Sequence, residues 1–242
     1  MEPLKDQLAV VTGASRGIGR AIALNLARQG ARLCLVGRDR QALESVGGKI
    51  GSTAPPVLMV EADLTRDDDI RKLHDVLDRG EYRVDILIHS AGAYGRGNID
   101  EAPVGDLDEL YRANVRGPYL LTQVLLPALK SQRGQIVFVN STQGQQASAN
   151  VGQYAATQHA LKAIADSLRQ EVNQDGVRVL SIFCGRTATP RMEKIYAMEQ
   201  RPYRPEVLLQ PDDVAEVVVN ALGLPRTAEV TNINVRPLIK SY

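Results

Sequence analysis

Short apolar runs alternate with longer amphipathic segments along most of the chain. The apolar runs are rich in Val, Ile and Leu, which is typical of parallel strands that are covered on both faces of a sheet. They predict strands at 8–12, 32–37, 56–62, 85–90, 135–140, 178–183 and 229–235. The segments between them repeat apolar residues at helical spacing and predict helices at 17–30, 40–50, 66–79, 106–131, 152–173 and 211–223.

This alternation of strand and helix predicts an α/β fold. Strands that are joined by helical crossovers form a parallel sheet with helices on both faces, so we expect a Rossmann-like, doubly wound sheet of about seven strands. A chain of 242 residues has the size of one large α/β domain. No repeat or linker divides it, so one domain over 1–242 is predicted, with 184–210 as its longest irregular segment.

Composition and charge argue against nucleic acids and membranes as partners. The formal net charge is +1, with acidic and basic residues interspersed, so we expect no nucleic-acid partner. The N-terminus has no apolar leader and no stretch reaches the length of a membrane span, so we expect no membrane partner and a cytoplasmic location. Cys34 and Cys184 lie in apolar runs, where buried free thiols are expected rather than a disulfide or metal ligands.

The first predicted strand runs directly into the glycine-rich segment TGASRGIG. Its three glycines allow a tight turn, and the helix that follows presents unpaired N–H groups to which phosphate oxygens can bind. The alternative is a plain strand-to-helix connection, but the strand before the turn and the helix after it favour a dinucleotide site. The residues assigned to this site are Gly13, Ser15, Arg16, Gly17, Ile18 and Gly19.

Arg38 directly follows the second predicted strand, where the ribose of an adenosine would lie. A cation at this place accommodates a 2′-phosphate, whereas a carboxylate accepts hydrogen bonds from a free 2′-hydroxyl. Arg16 can reach the same phosphate, while the neighbouring Asp39 would repel it. Two guanidinium groups outweigh one carboxylate, so NADP is the predicted cofactor and NAD is less favoured. The alternative is that Arg38 is only a solvated turn residue.

Several motifs in one order make the chain similar to the classical short-chain dehydrogenase/reductase family over nearly its whole length. They are TGASRGIG, DL after the third strand, SAG after the fourth, an asparagine in the long helix, and a serine followed by a tyrosine. The resemblance implies that Asp63 and Leu64 cradle the adenine ring. It also implies that Ala91 and Gly92 let the backbone approach the adenine ribose. The chain has His89 and Ser90 where the family usually has asparagine, which weakens a structural bridge.

The same resemblance implies a catalytic set. Asn114 would hold a water of the proton relay at a local helix kink, Ser141 would polarise the substrate carbonyl, and Tyr154 would be the general acid. Reduction of a carbonyl builds negative charge on its oxygen, so the site needs a hydrogen-bond donor and a proton source there. The segment CGRTATP resembles the turn that contacts the nicotinamide amide, with Gly185 and either Thr187 or Thr189 as candidates.

Position 158 departs from the family. Four residues after the tyrosine the family has a lysine, whose charge lowers the pKa of the phenol and whose ammonium holds the nicotinamide ribose; this chain has Gln158. An amide of similar length can still bond a ribose hydroxyl, but it brings no charge to a phenol whose ordinary pKa is about 10. We therefore expect cofactor binding with turnover reduced by about 10²- to 10⁴-fold. Lys162, two turns further on, is expected to point its ammonium elsewhere.

Two origins of Gln158 stay open. One is a natural departure, which gives a slow enzyme or a protein that acts by binding; the other is a deliberate substitution of lysine that traps a complex, favoured by the otherwise ordinary helix. His159 is assigned to a subunit contact rather than to catalysis. His74 and His89 have no ligand partners at useful spacing, so no metal site is expected.

The substrate is barely specified by the sequence. Residues 184–210 are predicted to cover the nicotinamide end as a lid. Arg191, Arg201 and Arg204 in this segment either meet an anionic substrate or are solvated loop charges. Small polar residues in the other walls favour a modest polar carbonyl compound or its alcohol, with acyl-carrier thioesters and hydroxy acids as the alternatives.

The predicted function is NADP(H)-dependent interconversion of such a carbonyl compound and its alcohol, impaired at Gln158. The alternative is a catalytically weak NADP(H)-binding sensor or scaffold. Apolar residues on the helices through Asn114 and Tyr154 exceed what one sheet contact needs. In the family such faces pair between subunits, which implies a homodimer or homotetramer.

Overall fold

A computed structural model describes residues 4–51 and 57–239 of the chain. Its strands, in chain order, are β1 (Leu8–Thr12), β2 (Arg32–Gly37), β3 (Leu58–Glu61), β4 (Val84–His89), β5 (Gln135–Ser141), β6 (Arg178–Cys184) and β7 (Asn232–Val235). Within the described ranges these seven strands form one parallel sheet in the order β3, β2, β1, β4, β5, β6, β7. The predicted doubly wound parallel sheet is therefore confirmed.

Helices connect the strands and cover both faces of the sheet. They are α1 (Gly17–Arg28), α2 (Arg40–Ile50), α3 (Asp67–Arg79), α4 (Val104–Tyr111), α5 (Gly117–Ser131), α6 (Gly152–Val172), α7 (Pro190–Met198) and α8 (Pro211–Leu222). One hydrophobic core joins the sheet to α1, α2 and α8, and a second joins it to α3, α5 and α6.

Strand β1 shows why the predicted strands read as continuous apolar runs. All five of its residues are buried. Ala9 and Val11 lie in the core with α1, α2 and α8, whereas Leu8 and Val10 lie in the opposite core, because successive side chains of a strand point to opposite faces. A strand with both faces covered has no position at which a polar side chain would reach water.

The strand order reverses between β1 and β4. The chain first builds outward from β1 through β2 to β3, and then returns to the other side of β1 with β4. In open α/β sheets, ligands bind outside the carboxyl ends of the strands at such a reversal. The ends of β1 at Thr12, β4 at His89 and β5 at Ser141 lie along this edge, so it brings together motifs from distant parts of the sequence.

Two predicted segments are wrong in their extent. Residues 184–210 are not irregular, because they contain α7 and a 3₁₀ turn at Pro205–Val207. Thr189 caps α7 by accepting a hydrogen bond from the N–H of Met192 at 3.2 Å, and Pro190 occupies the first helical position. The last strand begins at Asn232 rather than at residue 229, because the Glu229 carboxylate, not a backbone carbonyl, accepts from Val179 N–H at 3.0 Å.

Other boundaries move by a few residues. Strand β3 is shorter than the predicted 56–62, and residue 56 lies outside the described residues. The predicted helix 106–131 begins at Val104 and is continuous only through a π-helical segment, Arg112–Arg116, between α4 and α5. That segment carries Asn114 and supplies a local kink at the predicted place.

Candidate active site

The glycine turn after β1 has the shape that a phosphate group requires. Gly13 and Gly17 have φ angles of +65° and +57°, which L side chains rarely adopt. A Cβ at residue 13 would lie 2.9 Å from the Ala91 backbone nitrogen, and one at residue 19 would collide with the Gly13 carbonyl oxygen. The N-terminus of α1 has no side-chain cap and no acidic residue in its first turn. Its N–H groups are thus available to an anion, which fits a dinucleotide pyrophosphate.

The end of β2 presents positive charge beside this turn. Arg38 and Arg16 are both exposed, and the Ser15 hydroxyl oxygen lies 3.7 Å from where a Cβ at residue 37 would be. Asp39 caps α2, because its carboxylate accepts a hydrogen bond from the Ala42 N–H at 3.0 Å. The carboxylate that would repel a 2′-phosphate is therefore engaged with a helix terminus, a use that an aspartate before a helix commonly has.

Asp63 and Leu64 follow β3 at the same edge. One carboxylate oxygen of Asp63 accepts hydrogen bonds from the N–H and the hydroxyl of Thr65, at 3.0 and 2.8 Å. Partial burial opposes ionisation of Asp63, but the Thr65 hydrogen bonds and the charges of Arg38 and Arg66 hold its pKa below the ordinary value. Asp63 is consequently a carboxylate acceptor, and the influence of Arg38 on it indicates that the residues after β2 and β3 lie side by side.

Thr12 connects the glycine turn to the segment after β4. Its buried hydroxyl donates to the Ile88 carbonyl at 3.1 Å and accepts from the N–H groups of Ser90 and Ala91 at 3.0 and 3.1 Å. This hydroxyl joins β1 and β4 at the point where the sequence departs from the family. Sequence reasoning did not identify Thr12, although a threonine at the end of an otherwise apolar strand is a detectable signal.

Asn114 uses its whole side chain to hold neighbouring segments. Its amide makes two hydrogen bonds with the backbone of Ala93, accepting at 2.7 Å and donating at 3.0 Å, and it also donates to the Thr157 hydroxyl at 3.0 Å. Thr157 in turn donates to the Tyr154 carbonyl at 2.7 Å. Asn114 therefore fixes the loop after β4 relative to α6, and a Cβ on Gly92 would lie 2.9 Å from its amide oxygen.

Ser141 at the end of β5 and Tyr154 on α6 lie at the same edge of the sheet. The Ser141 hydroxyl is close enough to the Tyr154 phenol to lower its pKa, and it accepts a hydrogen bond from the N–H of Gln143 at 3.1 Å. The ring of Tyr94 packs against that of Tyr154 with centroids 5.0 Å apart. Burial raises the pKa of the Tyr154 phenol above its ordinary value, while the charge of Arg191 and the Ser141 hydroxyl act in the opposite direction.

Gln158 is buried on α6, one turn after Tyr154, and only 5% of its surface is exposed. Lys162 does not replace the missing charge, because its ammonium pairs with Asp166 at 2.5 Å. The expectation that Lys162 points elsewhere is confirmed. His159 is exposed, and its Nδ1 lies 2.9 Å from the Ala155 carbonyl oxygen of the same helix.

The segment after β6 faces the glycine turn. The Thr189 methyl group lies 3.2 Å from where a Cβ on Gly17 would be, so Thr189 and the turn approach each other across the cleft. Thr187 is buried and donates to the Gly185 carbonyl at 3.1 Å. Of the two threonines, Thr189 lies at the turn, and the hydroxyl of Thr187 is committed within its own segment.

The arginines of this segment have protein partners. Glu199, after α7, accepts from Arg186 at 2.8 and 2.9 Å and from Arg96 at 2.9 Å, and it lies 3.7 Å from Arg201. Although Glu199 is partly desolvated, the Arg186 hydrogen bonds and the three guanidinium charges hold its pKa below the ordinary value. Glu199 therefore ties the end of α7 to the loop after β4. Arg191 donates to the Gly92 carbonyl.

Two cysteines and one histidine are buried in the core. Cys34 and Cys184 are buried free thiols, as predicted, and burial raises the pKa of each to about 12. His89 is buried, stacks on Phe138 with centroids 4.8 Å apart, and places Nε2 2.8 Å from the Thr122 hydroxyl. In residues 4–51 and 57–239, no three His, Cys, Asp or Glu side chains are grouped to hold a metal ion. No helix of the described chain is long and apolar enough to cross a membrane.

Comparison with known proteins agrees with this arrangement. The sequence pattern described as short chain dehydrogenase matches residues 7–200. An uncharacterized oxidoreductase of Staphylococcus epidermidis is 34% identical over 240 residues, which cover 98% of this chain and 100% of the relative.

Two solved structures are similar over nearly their whole length. One is an alcohol dehydrogenase from the archaeon Thermococcus sibiricus complexed with 5-hydroxy-NADP, with a TM-score of 0.87, 27% identity, and coverage of 98% of this chain and 99% of that chain. The other is a short chain dehydrogenase from Shigella flexneri complexed with NADP, with a TM-score of 0.88, 29% identity, and coverage of 96% and 98%.

Proposed function

The chain belongs to the short-chain dehydrogenase family, and from this premise we propose that it interconverts a small carbonyl compound and its alcohol with NADP(H) as the hydride carrier. The observation that carries the proposal is that Ser141 and Tyr154 lie close together, near enough for the Ser141 hydroxyl to act on the phenol, at the sheet edge that also holds the glycine turn. Two hydroxyl groups that converge there can both engage one carbonyl oxygen.

The roles of the two hydroxyls follow from the charge that the reaction creates. When bound, the nicotinamide supplies the hydride that reaches the carbonyl carbon. Ser141 donates a hydrogen bond to the carbonyl oxygen as negative charge grows on it, and Tyr154 gives that oxygen its phenolic proton. Asn114 acts on the geometry by holding α6 through Thr157, and its kink is proposed to hold the water that reprotonates the phenol.

The raised pKa of Tyr154 favours the reductive direction near neutral pH. Burial keeps the phenol protonated there, which is the form that a general acid requires. Alcohol oxidation needs the tyrosinate instead, so its rate should rise with pH up to and beyond the ordinary tyrosine pKa of about 10. Reduction should change little across the same neutral range.

Three features support NADP rather than NAD. Arg16 and Arg38 are exposed beside the glycine turn, and Asp39 is engaged as the cap of α2. The similar enzymes from Thermococcus sibiricus and Shigella flexneri are complexes with an NADP compound and with NADP, respectively. In this proposal the pyrophosphate lies on the α1 N-terminus, the adenine lies between Asp63 and Leu64, and Ala91 and Gly92 let the backbone approach the adenine ribose.

The remaining cofactor contacts and the lid are part of the same proposal. Gln158 is proposed to bond the nicotinamide ribose through its amide. Gly185 and Thr189 are proposed to contact the nicotinamide amide, with residues 184–210 as the cover over that end. Thr187 is less suited to this contact, because it is buried and bonded to the Gly185 carbonyl.

Exposed apolar side chains support a homodimer or homotetramer. Val104 and Tyr111 of α4 and Tyr119 of α5 are 74%, 51% and 51% exposed, and the nearby Ile99 is 87% exposed. Several large apolar residues on one helical region are a common mark of a protein interface. Light scattering after size-exclusion chromatography would test this, and a monomer at micromolar concentration would contradict it.

A second candidate is an NADP(H)-binding sensor or scaffold that does not turn over. Gln158, which is buried one turn from Tyr154 and brings no charge, favours it. The two candidates are separated by NADPH oxidation with a panel of ketones and aldehydes, measured beside NADPH binding by fluorescence. The enzyme requires turnover that falls by about 10²-fold or more in Tyr154→Phe with unchanged NADPH binding. Tight NADPH binding with no turnover of any carbonyl would support the sensor.

A further inference from the structure

We propose that Arg191 of α7 supplies, beside the phenol of Tyr154, the positive charge that position 158 lacks. This inference rests on the proposed function, in which Tyr154 is the proton donor. In this inference the cation comes from Arg191 on α7, whereas in the family it comes from a lysine on the same helix as the tyrosine. Because Arg191 acts through Tyr154, it is a positioning residue and not a catalytic one.

The geometry brings Arg191 to the cleft from a fixed starting point. Arg191 is the second residue of α7, whose N-terminus is held by the Thr189 cap and by the ring of Pro190. Its guanidinium donates a hydrogen bond to the Gly92 carbonyl, on the loop after β4. The side chain therefore spans from α7 to the loop that carries Tyr94, whose ring packs on Tyr154.

The acceptor of Arg191 is itself connected to Tyr154. Gly92 precedes Ala93, whose backbone makes two hydrogen bonds with Asn114. Asn114 is joined through the Thr157 hydroxyl to the Tyr154 carbonyl. The guanidinium and the phenol are thus attached to one hydrogen-bonded frame, so their separation does not depend on exposed side chains alone.

The groups that act on the phenol come from four elements, and Arg191 is the charged one among them. Ser141 at the end of β5 contributes a hydroxyl, Tyr94 after β4 contributes a ring, and Cys184 at the end of β6 is a thiol whose pKa burial raises to about 12. The loop after β4 carries a second arginine, which has a partner of its own. Arg96 is paired with Glu199 at 2.9 Å.

Glu193, in the same helical turn as Arg191, does not cancel its effect on the phenol. Together with partial burial, Glu193 raises the pKa of Tyr203 and not that of Tyr154. The Arg191 charge lowers the pKa of Tyr154 against the larger effect of burial. An arginine stays protonated at any working pH, so this charge does not vanish when the cleft closes, as that of a buried lysine can.

A guanidinium also suits the second role of the family's lysine, which is to hold the nicotinamide ribose. It carries five N–H donors in a planar fork, of which the Gly92 carbonyl takes one in this structure. The others can reach hydroxyl groups in the cleft.

The test is a titration of the phenol itself. 3-Fluorotyrosine placed at position 154 is followed by ¹⁹F NMR against pH in the cofactor-free protein, with the Arg191→Met and Arg191→Lys variants and an Arg204→Met control. Arg204 is an exposed arginine of the same segment. Because Arg191 is also exposed and solvent screens its charge, we expect Arg191→Met to raise the midpoint by about one unit. Arg191→Lys and Arg204→Met should leave the midpoint within a few tenths of a unit.

An unchanged midpoint in Arg191→Met would overturn the inference, because a role limited to holding α7 against Gly92 alters stability and KM but not phenol ionisation. Arg191→Gln provides a second neutral variant if Arg191→Met does not fold. Turnover is measured separately: Arg191→Met should lower kcat for carbonyl reduction by up to about tenfold, with rescue in Arg191→Lys. A shifted midpoint in a protein that reduces no carbonyl would reject the proposed function while leaving the assignment of Arg191 intact.

Discussion

The side chain of Asn140 joins the end of β5 to the backbone of Gln158 on α6. Its amide nitrogen donates to the Gln158 carbonyl at 3.0 Å, and its amide oxygen accepts from the Ser141 N–H at 2.6 Å. A Cβ on Gly144 would lie 2.6 Å from that same oxygen and 2.9 Å from the Gln158 carbonyl oxygen. A buried amide and a glycine therefore hold the end of β5, which carries Ser141, against α6, which carries Tyr154.

Replacing Asn140 should weaken both stability and catalysis. Asn140→Ala leaves buried polar groups of Ser141 and Gln158 without their partner, which costs about 1–3 kcal/mol of unfolding free energy. Because Ser141 loses its orientation, kcat for carbonyl reduction should fall by about tenfold or more while NADPH affinity is nearly unchanged. Denaturant unfolding and steady-state kinetics measure the two effects. Asn220→Ala, at an exposed position of α8, is the control and should change neither.

Gln158→Lys should increase turnover. A unit charge about 4 Å from the phenol is worth up to about 4 kcal/mol at an effective dielectric near 20, which lowers the pKa of Tyr154. We expect kcat for carbonyl reduction to rise by about 10- to 10³-fold and alcohol oxidation to reach its maximum at lower pH. The gain should be smaller than the absence of lysine alone implies, since Arg191 already contributes charge.

The control for this substitution lies on the same helix. Gln170→Lys introduces the same charge at an exposed position of α6, about three turns from Gln158, and should leave both the rate and its pH dependence unchanged. Equal rates for the chain as it stands and for Gln158→Lys, with NADPH bound in both, would contradict an electrostatic deficit at this position.

Local patterns in the sequence predicted the strands and most helices of the fold. The run Leu8–Thr12 is apolar because both of its faces are covered, and Asp39 and Thr189 precede helices whose N–H groups they cap. Such signals arise within a few neighbouring residues. Thr189 and Pro190 at the start of α7 are also such a signal, and they contradict the prediction of an irregular segment over 184–210.

Relationships across the fold were not available from the sequence. Arg191 and Tyr154 lie far apart in the chain. Only the packing of α7 near the sheet edge lets the charge of Arg191 act on the phenol of Tyr154. The raised pKa of Tyr154 depends on burial, which no spacing of residues reveals. Thr12 and Asn140 position the site through buried hydrogen bonds whose partners come from distant strands and helices.

Arg38→Asp should shift cofactor preference from NADPH toward NADH. The substitution removes charge-assisted hydrogen bonds to the 2′-phosphate, each worth about 1.5–3 kcal/mol, and places a carboxylate where a free 2′-hydroxyl can donate. The ratio of kcat/KM values for NADPH and NADH should fall by about 10²-fold or more. Arg79→Asp, an equal change of charge at the exposed end of α3, should leave the ratio unchanged. If both variants keep the original ratio, Arg38 does not contact the phosphate.

His89 should make the fold sensitive to mild acid. Burial lowers its pKa from 6.5 to about 3, so between these values the unfolded chain binds a proton that the folded chain does not. The free energy of unfolding therefore rises with pH through this window, and its His89 contribution is complete only above pH 6.5. From about pH 6.5 to about pH 5 the loss should be about 2 kcal/mol. Urea unfolding at a series of pH values measures this loss.

His89→Gln keeps a polar group near Thr122 but cannot titrate, so its stability should depend less on pH in this range. Burial of the new amide can lower stability at every pH, but it does not change the dependence on pH. His74→Gln, at a partly exposed position, should retain the full acid dependence. An identical pH slope for His89→Gln and the unchanged chain would show that other groups, and not the buried imidazole, cause the loss of stability.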